Sequence, residues 1–567
     1  MKINYLIPIC ACLLLMLLSC NENTDSAQLV IYNGNIYTVN ENQPKVEAVA
    51  VDNGRISFIG SSIEAQKLIG DSTEVYDLQG KTMTPGFIEG HAHLMSIGSN
   101  ILNLDLDGTQ SYDEIVQMVE ARVKNAAKGE WILGRGWHQD KWVSQPENMI
   151  DGFPTHHKLS QVSPDNPVLL RHKSGHAALA NARALELAGI DRSTQDPDGG
   201  AIFKDVGGQP TGLLNETAQR LVGGKVPDNS EERNSQILDL AIKECLENGI
   251  TSFHDAGADS TEINLYKKYA QQGKLGVRLY VMLNGANRNL LEAYYRNGPE
   301  IGLGNDFLTI RAIKLYADGA LGSRGALLLK EYSDAPGVFG HRIQPLDNLD
   351  QVAAEGIQYG FQVCTHCIGD RANKEVLDIY EKVYAIYPDG EPRFRIEHSQ
   401  HIDGADIARF GKLGVIPSMQ AIHMSSDRPW AIDRLGKKRI EEGAYVWKSL
   451  SEAGAVVMNG TDAPVEPVSA IACFYASVSR QTLKGTPDGG YEPDQKMSRL
   501  EALKSYTINN AYGAFEESSK GTIEIGKLAD FTVFSENIME IPVNKILDTQ
   551  VDATFVDGKL VFERNSE

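Results

Sequence analysis

The sequence predicts an α/β protein built on a TIM-type (β/α)8 barrel, and three observations carry that prediction. From about residue 250, short apolar runs alternate with longer helical segments: GITSFHDAG, VRLYVML, LTIRAIKLYADG, GFQVCTHCIGD, RFRIEHSQ, LGVIPSMQ and GAVVMNGTDAP. With TMTPGFIEGHAHL near residue 88 they make eight strand–helix units, each ending in polar, reactive side chains where such barrels place catalytic groups. Both chain ends are instead β-rich, and residues 95–248 far exceed a crossover loop of about 2–6 residues. The chain has 567 residues, beyond the roughly 250–300 at which one core stops growing, so more than one packed unit is expected.

Taken in order, the first 20 residues, MKINYLIPICACLLLMLLSC, have an early cation at Lys2, an apolar run and then Ser19-Cys20. That is the pattern of a signal peptide over residues 1–19, and its end resembles a bacterial lipobox with Cys20 lipidated. The run is shorter than the roughly 20 residues needed to span a bilayer. The expected product is exported and lipid-anchored to a bacterial membrane, with residues 20–27 as a tether. Residues 28–80 and 520–567 show strand-like runs around Asn33-Gly34, Asn53-Gly54 and Asp557-Gly558, which suggest hairpins. Together they are read as one composite β-sandwich. The barrel takes residues 81–94 and 249–519, and residues 95–248 form an inserted α/β subdomain.

A formal charge of −21 repels phosphate backbones and acidic membranes, so nucleic acid is excluded as a partner. After removal of residues 1–19 and acylation of Cys20, four cysteines remain, too few for a disulfide scaffold. Cys364 and Cys367 make a C-x-x-C pair around His366. On a strand they stand about 10 Å apart at roughly 3.3 Å per residue and face opposite ways. Disulfides need Cα atoms within about 7 Å, so neither a bridge nor joint chelation fits. His366 is then the functional residue of the stretch.

The strand ends supply His91, His93, Lys314, His366, His398 and Asp462 in chain order. His91 and His93, at i and i+2, point to one face and can bind one ion. Lys314 has apolar neighbours on both strand faces; desolvation favours its neutral amine, which can capture carbon dioxide as a bridging carbamate. A salt bridge to Asp318 is the competing reading.

The motifs PGFIEGHAH, IKLYADGALGSRGA, HCIGDRAN, RIEHSQ, SMQAIH and GTDAPVEP, in that order, resemble the amidohydrolase superfamily. More narrowly they are similar to its YtcJ-like branch, which includes N-substituted formamide deformylase. The resemblance spans residues 28–563. It implies one or two divalent ions, usually zinc: the first on His91, His93 and Asp462, the second on His366 and His398, with carboxylated Lys314 between them. It also implies hydrolysis of a carbon–nitrogen bond in a small non-peptide amide, with Asp462 moving the proton. His176, Arg324, Gln420 and His423 are candidate substrate contacts. Three departures from the family pattern are Glu89-Gly90 before the histidine pair, alanine after Gln420, and Thr461 before the aspartate. The same metals also serve deaminases, lactonases and isomerases, and a lipid-anchored binding protein is a further alternative. Oligomeric state is left open.

Overall fold

A computed structural model describes residues 26–139, 142–173, 177–197, 200–388 and 390–565. The expected signal peptide, Cys20 and His176 lie outside the described residues. The apolar runs form eight parallel strands: β1 (Phe87–Ala92), β2 (Ile250–Ala258), β3 (Arg278–Asn284), β4 (Leu308–Tyr316), β5 (Gln362–Cys367), β6 (Arg395–His398), β7 (Ile416–Met419) and β8 (Met458–Asn459). They are hydrogen-bonded in chain order. The ring closes just beyond β8, where the Asp462 N–H donates to the His91 carbonyl at 2.8 Å and the His93 N–H to Ala463 at 2.9 Å. Deeper in the seam the Asn510 amide donates to the carbonyls of Ile88 and Asn459, at 2.5 and 2.8 Å. Glycine is required at position 460, because a Cβ there would lie 2.3 Å from the Glu89 carboxylate.

A parallel sheet must be covered on both faces, and strand alternation achieves this. On β4, Ile313 and Leu315 join the core between strands and helices, while Ala312 joins an inner cluster with Ala256, Tyr280, Met282 and Cys364. Cys367 belongs to the outer core, so the two cysteines of β5 do face opposite ways, both buried and both free. Replacing both with alanine is expected to leave metal content largely intact, whereas His366→Ala depletes it. Elemental analysis of the purified variants checks this, and the reverse pattern would return the metal to the thiols.

Strands from both chain ends make the sandwich. One sheet orders Arg55–Gly60, Ala48–Asp52, Leu29–Tyr32 and Glu74–Asp77; the other orders Lys559–Glu563, Val551–Val556, Phe531–Phe534, Thr82–Pro85, Asn35–Tyr37 and Lys45–Val46. Ile31, Val49, Met83, Phe531 and Phe555 share its core. Asn53-Gly54 and Asp557-Gly558 turn hairpins, with Asp52 opposite Arg55 and Val556 opposite Lys559. Asn33-Gly34 does not: strand Leu29–Tyr32 lies in the first sheet and Asn35–Tyr37 in the second, so the pair carries the chain between sheets.

The insertion is shorter than 95–248. Helices α1 (Leu94–Leu102) and α2 (Glu231–Glu247) place Ile97, Ile237, Leu238 and Ala241 in the barrel's own core. Residues 103–230 form the separate unit. Its sheet orders Gly200–Lys204, Pro210–Glu216, Ala177–Ala180, Val168–His172, Ile132–Trp137 and Leu104–Asp105, with an apolar cluster on each face. Trp137 and Trp142 stack within it at 6.2 Å.

Candidate metal centre

The strand ends bring six of the expected residues to one place at the barrel mouth. His91, His398 and Asp462 each offer a ligand atom within 4.8 Å of the others. Nε2 of His93 lies 3.3 Å from Asp462 Oδ1, and Nε2 of His91 lies 3.7 Å from the same oxygen. The rings of His366 and His398 are 4.5 Å apart, and Lys314 Nζ sits 3.1 Å from His91 Nε2. Lys314 makes no ion pair among the described residues, so the Asp318 salt bridge does not form. Asp318 instead accepts backbone N–H groups of Leu327, Ile368 and Gly369, fixing the loop after His366.

Hydrogen bonds decide which ring nitrogen each histidine offers. His93 Nδ1 faces the Ala256 carbonyl at 2.9 Å, and a carbonyl only accepts, so Nδ1 carries the proton. His91 Nδ1 donates to the Glu397 carboxylate at 2.5 Å. His398 Nδ1 donates to Gln420 Oε1 at 2.7 Å, the amide being oriented by Nε2 donating to the Ser418 carbonyl. All three rings therefore keep an Nε2 lone pair, the arrangement by which second partners orient metal-binding histidines. His366 Nε2, His423 Nε2 and Asp462 Oδ1 are buried with no hydrogen-bond partner. Unpartnered buried donors and acceptors are rare; imidazoles with a carboxylate are a donor set for divalent transition ions. The residues fit a divalent cation.

Burial also tunes the charges. It lowers His91 to about 4 and His366 to about 3, in each case assisted by the Lys314 cation, and it holds His398 well below its usual range. Burial opposes the Asp462 carboxylate, but the neighbouring imidazoles of His93, His398 and His91 outweigh it, so the carboxyl stays well below the usual range. Unfolded, each of these rings takes up a proton at 6.5; folded, His91 does so only near 4 and His366 near 3, and His398 is likewise held well below 6.5. Below pH 6.5 the unfolded state thus binds more protons, and stability falls as pH falls. The urea midpoint of metal-free protein is expected to drop steadily from pH 6.5 to 4.5. A midpoint unchanged across that window would mean that the rings are solvated.

Two of these candidate residues carry unusual backbone. His398 has φ 73° and Asp462 φ 58°, left-handed values costing a non-glycine residue roughly 1–2 kcal/mol. On β6, Arg395 and Glu397 face inward and Ile396 outward, so strict alternation would turn His398 away; the positive φ brings it back to the mouth.

The sequence did not reveal the supporting residues. Glu397 holds His91 and is itself gripped by Arg395, with contacts of 2.7 and 3.0 Å. Asp255 on β2 accepts the Leu94 N–H at the start of α1, just after His93. Glu89 accepts the N–H groups of Thr461 and His91, and burial pushes its carboxyl up to about 8. The Thr461 hydroxyl lies 2.9 Å from Glu89, so two departures from the family pattern touch each other. The signal for Glu397 was a charge pair at i and i+2 inside an apolar strand.

The expected substrate contacts separate. His423 Nε2 lies 3.9 Å from Asp462 Oδ2 and faces the site. Gln420 serves His398 rather than pointing free into the mouth. Arg324 is engaged by Asp334, with contacts of 3.1 and 2.9 Å, in the loop after β4. Asp370 and Arg371 do not pair: Asp370 faces His401 and Arg371 binds Glu375.

A closed parallel barrel with these donors at its C-terminal mouth defines a metal-dependent hydrolase. The description "Amidohydrolase family" matches residues 74–562, and the chain belongs to that family, in its YtcJ-like branch. It is 34% identical over 542 residues to the putative amidohydrolase YtcJ of Bacillus subtilis, covering 94% of this chain and 99% of that one. It is 28% identical over 555 residues to N-substituted formamide deformylase of Arthrobacter pascens, covering 95% and 99%. An uncharacterized metal-dependent hydrolase from Pyrococcus horikoshii superposes with a TM-score of 0.76 at 27% identity, covering 91% and 99%.

Proposed function

We propose that the protein hydrolyses the carbon–nitrogen bond of a small, non-peptide amide or formamide-like substrate, using zinc on His91, His93, His366, His398 and Asp462. The observation that carries this is Asp462: a buried, ionised carboxylate with one oxygen unpartnered, set among histidines that keep their Nε2 lone pairs. Lys314, next to His91 Nε2 and without a counter-ion among the described residues, is suited to carry a carbamate between two ions. The full-length similarity to a deformylase supports the carbon–nitrogen reading.

A bound divalent ion polarises the scissile carbonyl and lowers the pKa of water toward about 7. Asp462 accepts the proton of the attacking water and returns it to the leaving nitrogen. His423, across the carboxylate from His93, offers a ring N–H toward the carbonyl oxygen. Export and a lipid anchor at Cys20 belong to the same proposal, resting on the first 20 residues alone.

Zinc-refilled protein is expected to release amine plus carboxylate from a panel of N-substituted formamides and amides. Ammonia as product would assign a deaminase. Turnover of esters or lactones alone would assign another hydrolase, and a refilled site without turnover would point to a binding protein.

A further inference from the structure

Away from the metal centre, a cavity of about 450 Å³ opens between the inserted unit and the barrel helices. Two strands of the inserted sheet, Ile132–Trp137 and Val168–His172, run parallel there and set Arg135 directly opposite Arg171. Arg233 of α2 reaches the same space and donates to Asn103 at the end of α1, at 3.2 Å. Asp228 is the one acidic residue on the described lining.

Asp105 stands opposite Arg135 on its other neighbouring strand and both arginines are exposed, so the facing positive charges are only partly compensated without a ligand. Like charges directly opposite on neighbouring strands destabilise a sheet. Neither Arg135 nor Arg171 makes a side-chain hydrogen bond or ion pair with another described residue, although acids outnumber bases by 75 to 54 in the chain. Leu133 and Leu169 also line the cavity. Guanidinium forks match the oxygens of phosphate and carboxylate. On the cavity lining three guanidinium groups stand against Asp228 alone, with Asp105 beside Arg135 on its far side, and this surplus of forked donors suits a phosphate monoester, which offers three oxygens and is close to a dianion at neutral pH. The volume falls within the roughly 300–1,000 Å³ of small-molecule sites, leaving room for an organic group over the two leucines.

We propose that this cavity binds a small phosphate monoester through Arg135, Arg171 and Arg233, at a site separate from the metal centre. Asn103 lies ten residues beyond His93, about 15 Å along α1 at 1.5 Å per residue, so a phosphate bound there does not touch the metal ligands.

Calorimetric titration of the zinc-loaded protein with phenyl phosphate and with inorganic phosphate tests this. Saturable binding is expected, tighter for phenyl phosphate, and weakened about tenfold or more by Arg135→Ala or Arg171→Ala with metal content unchanged. Both side chains are exposed and face each other, so thermal melts of these variants should equal or slightly exceed the parent's, and Arg171→Lys should recover part of the affinity. Absence of saturable binding at millimolar phosphate overturns the proposal. So does phosphate binding that survives both alanine variants, which would place the anion at the metals. A dicarboxylate binding more tightly than phenyl phosphate overturns the assignment to phosphate.

Discussion

Asp462→Asn is expected to lower kcat by about 10³-fold, in the middle of the range for losing a positioned general acid–base, while the protein folds and retains metal. The substitution preserves shape and one ligand oxygen but removes the proton acceptor. No neighbouring carboxylate can replace it. Glu397 is held by Arg395 and His91; Asp318 accepts three backbone N–H groups; Asp255 is held by Leu94 and Tyr266. Glu89 contacts Thr461, and burial pushes its carboxyl up to about 8. Among these five only Asp462 keeps an oxygen without a hydrogen-bond partner. The loss should fall on kcat rather than KM, because the proton moves in the transition state. The acidic limb of the pH–rate profile should disappear with it. A variant keeping a tenth of wild-type kcat would place the proton transfer on another group. His423→Ala should act more mildly and raise KM as well, as expected of a substrate contact.

The candidate site residues were legible because a barrel converts chain order into position. Inward residues near the strands' C-terminal ends arrive at one mouth, so His91, Lys314 and His366 could be placed from local spacing, and Asp462, three residues past β8, from its motif. His398 was legible only through the surrounding motif, since alternation alone points it outward and a positive φ turns it in. Contacts between distant strands were not legible. Glu397 reads as an ordinary charge until β1 brings His91 beside it, and Gln420 reads as a substrate contact until His398 takes its oxygen. The insertion's ends were misplaced for a related reason. Helices α1 and α2 flank the inserted unit in sequence, and their apolar stripes do not say which of two cores they cover. Asn33-Gly34 failed likewise, because a turn pair fixes local backbone but not whether the next strand joins the same sheet.

The second large effect is expected at Glu397. Its carboxylate is fully buried, opposed by desolvation yet held ionised by Arg395 and His91, while Arg395 also donates to the Gly90 carbonyl, Ser418 and His254 Nδ1. Glu397→Gln leaves Arg395 as a buried cation without its counter-charge, a change that costs about 3–5 kcal/mol in comparable pairs. It also loosens the Nδ1 anchor of His91, for which a loss of about 10–100-fold in metal affinity is typical. Replacing both Arg395 and Glu397 by methionine separates the two effects. With no charge left to strand, stability in urea should recover most of the loss, because well-packed apolar side chains often match a buried ion pair. Metal affinity should stay low, since His91 still lacks its acceptor. If competition titration showed wild-type affinity in the double variant, orientation of His91 would have to come from packing against β1 and β6 rather than from the carboxylate.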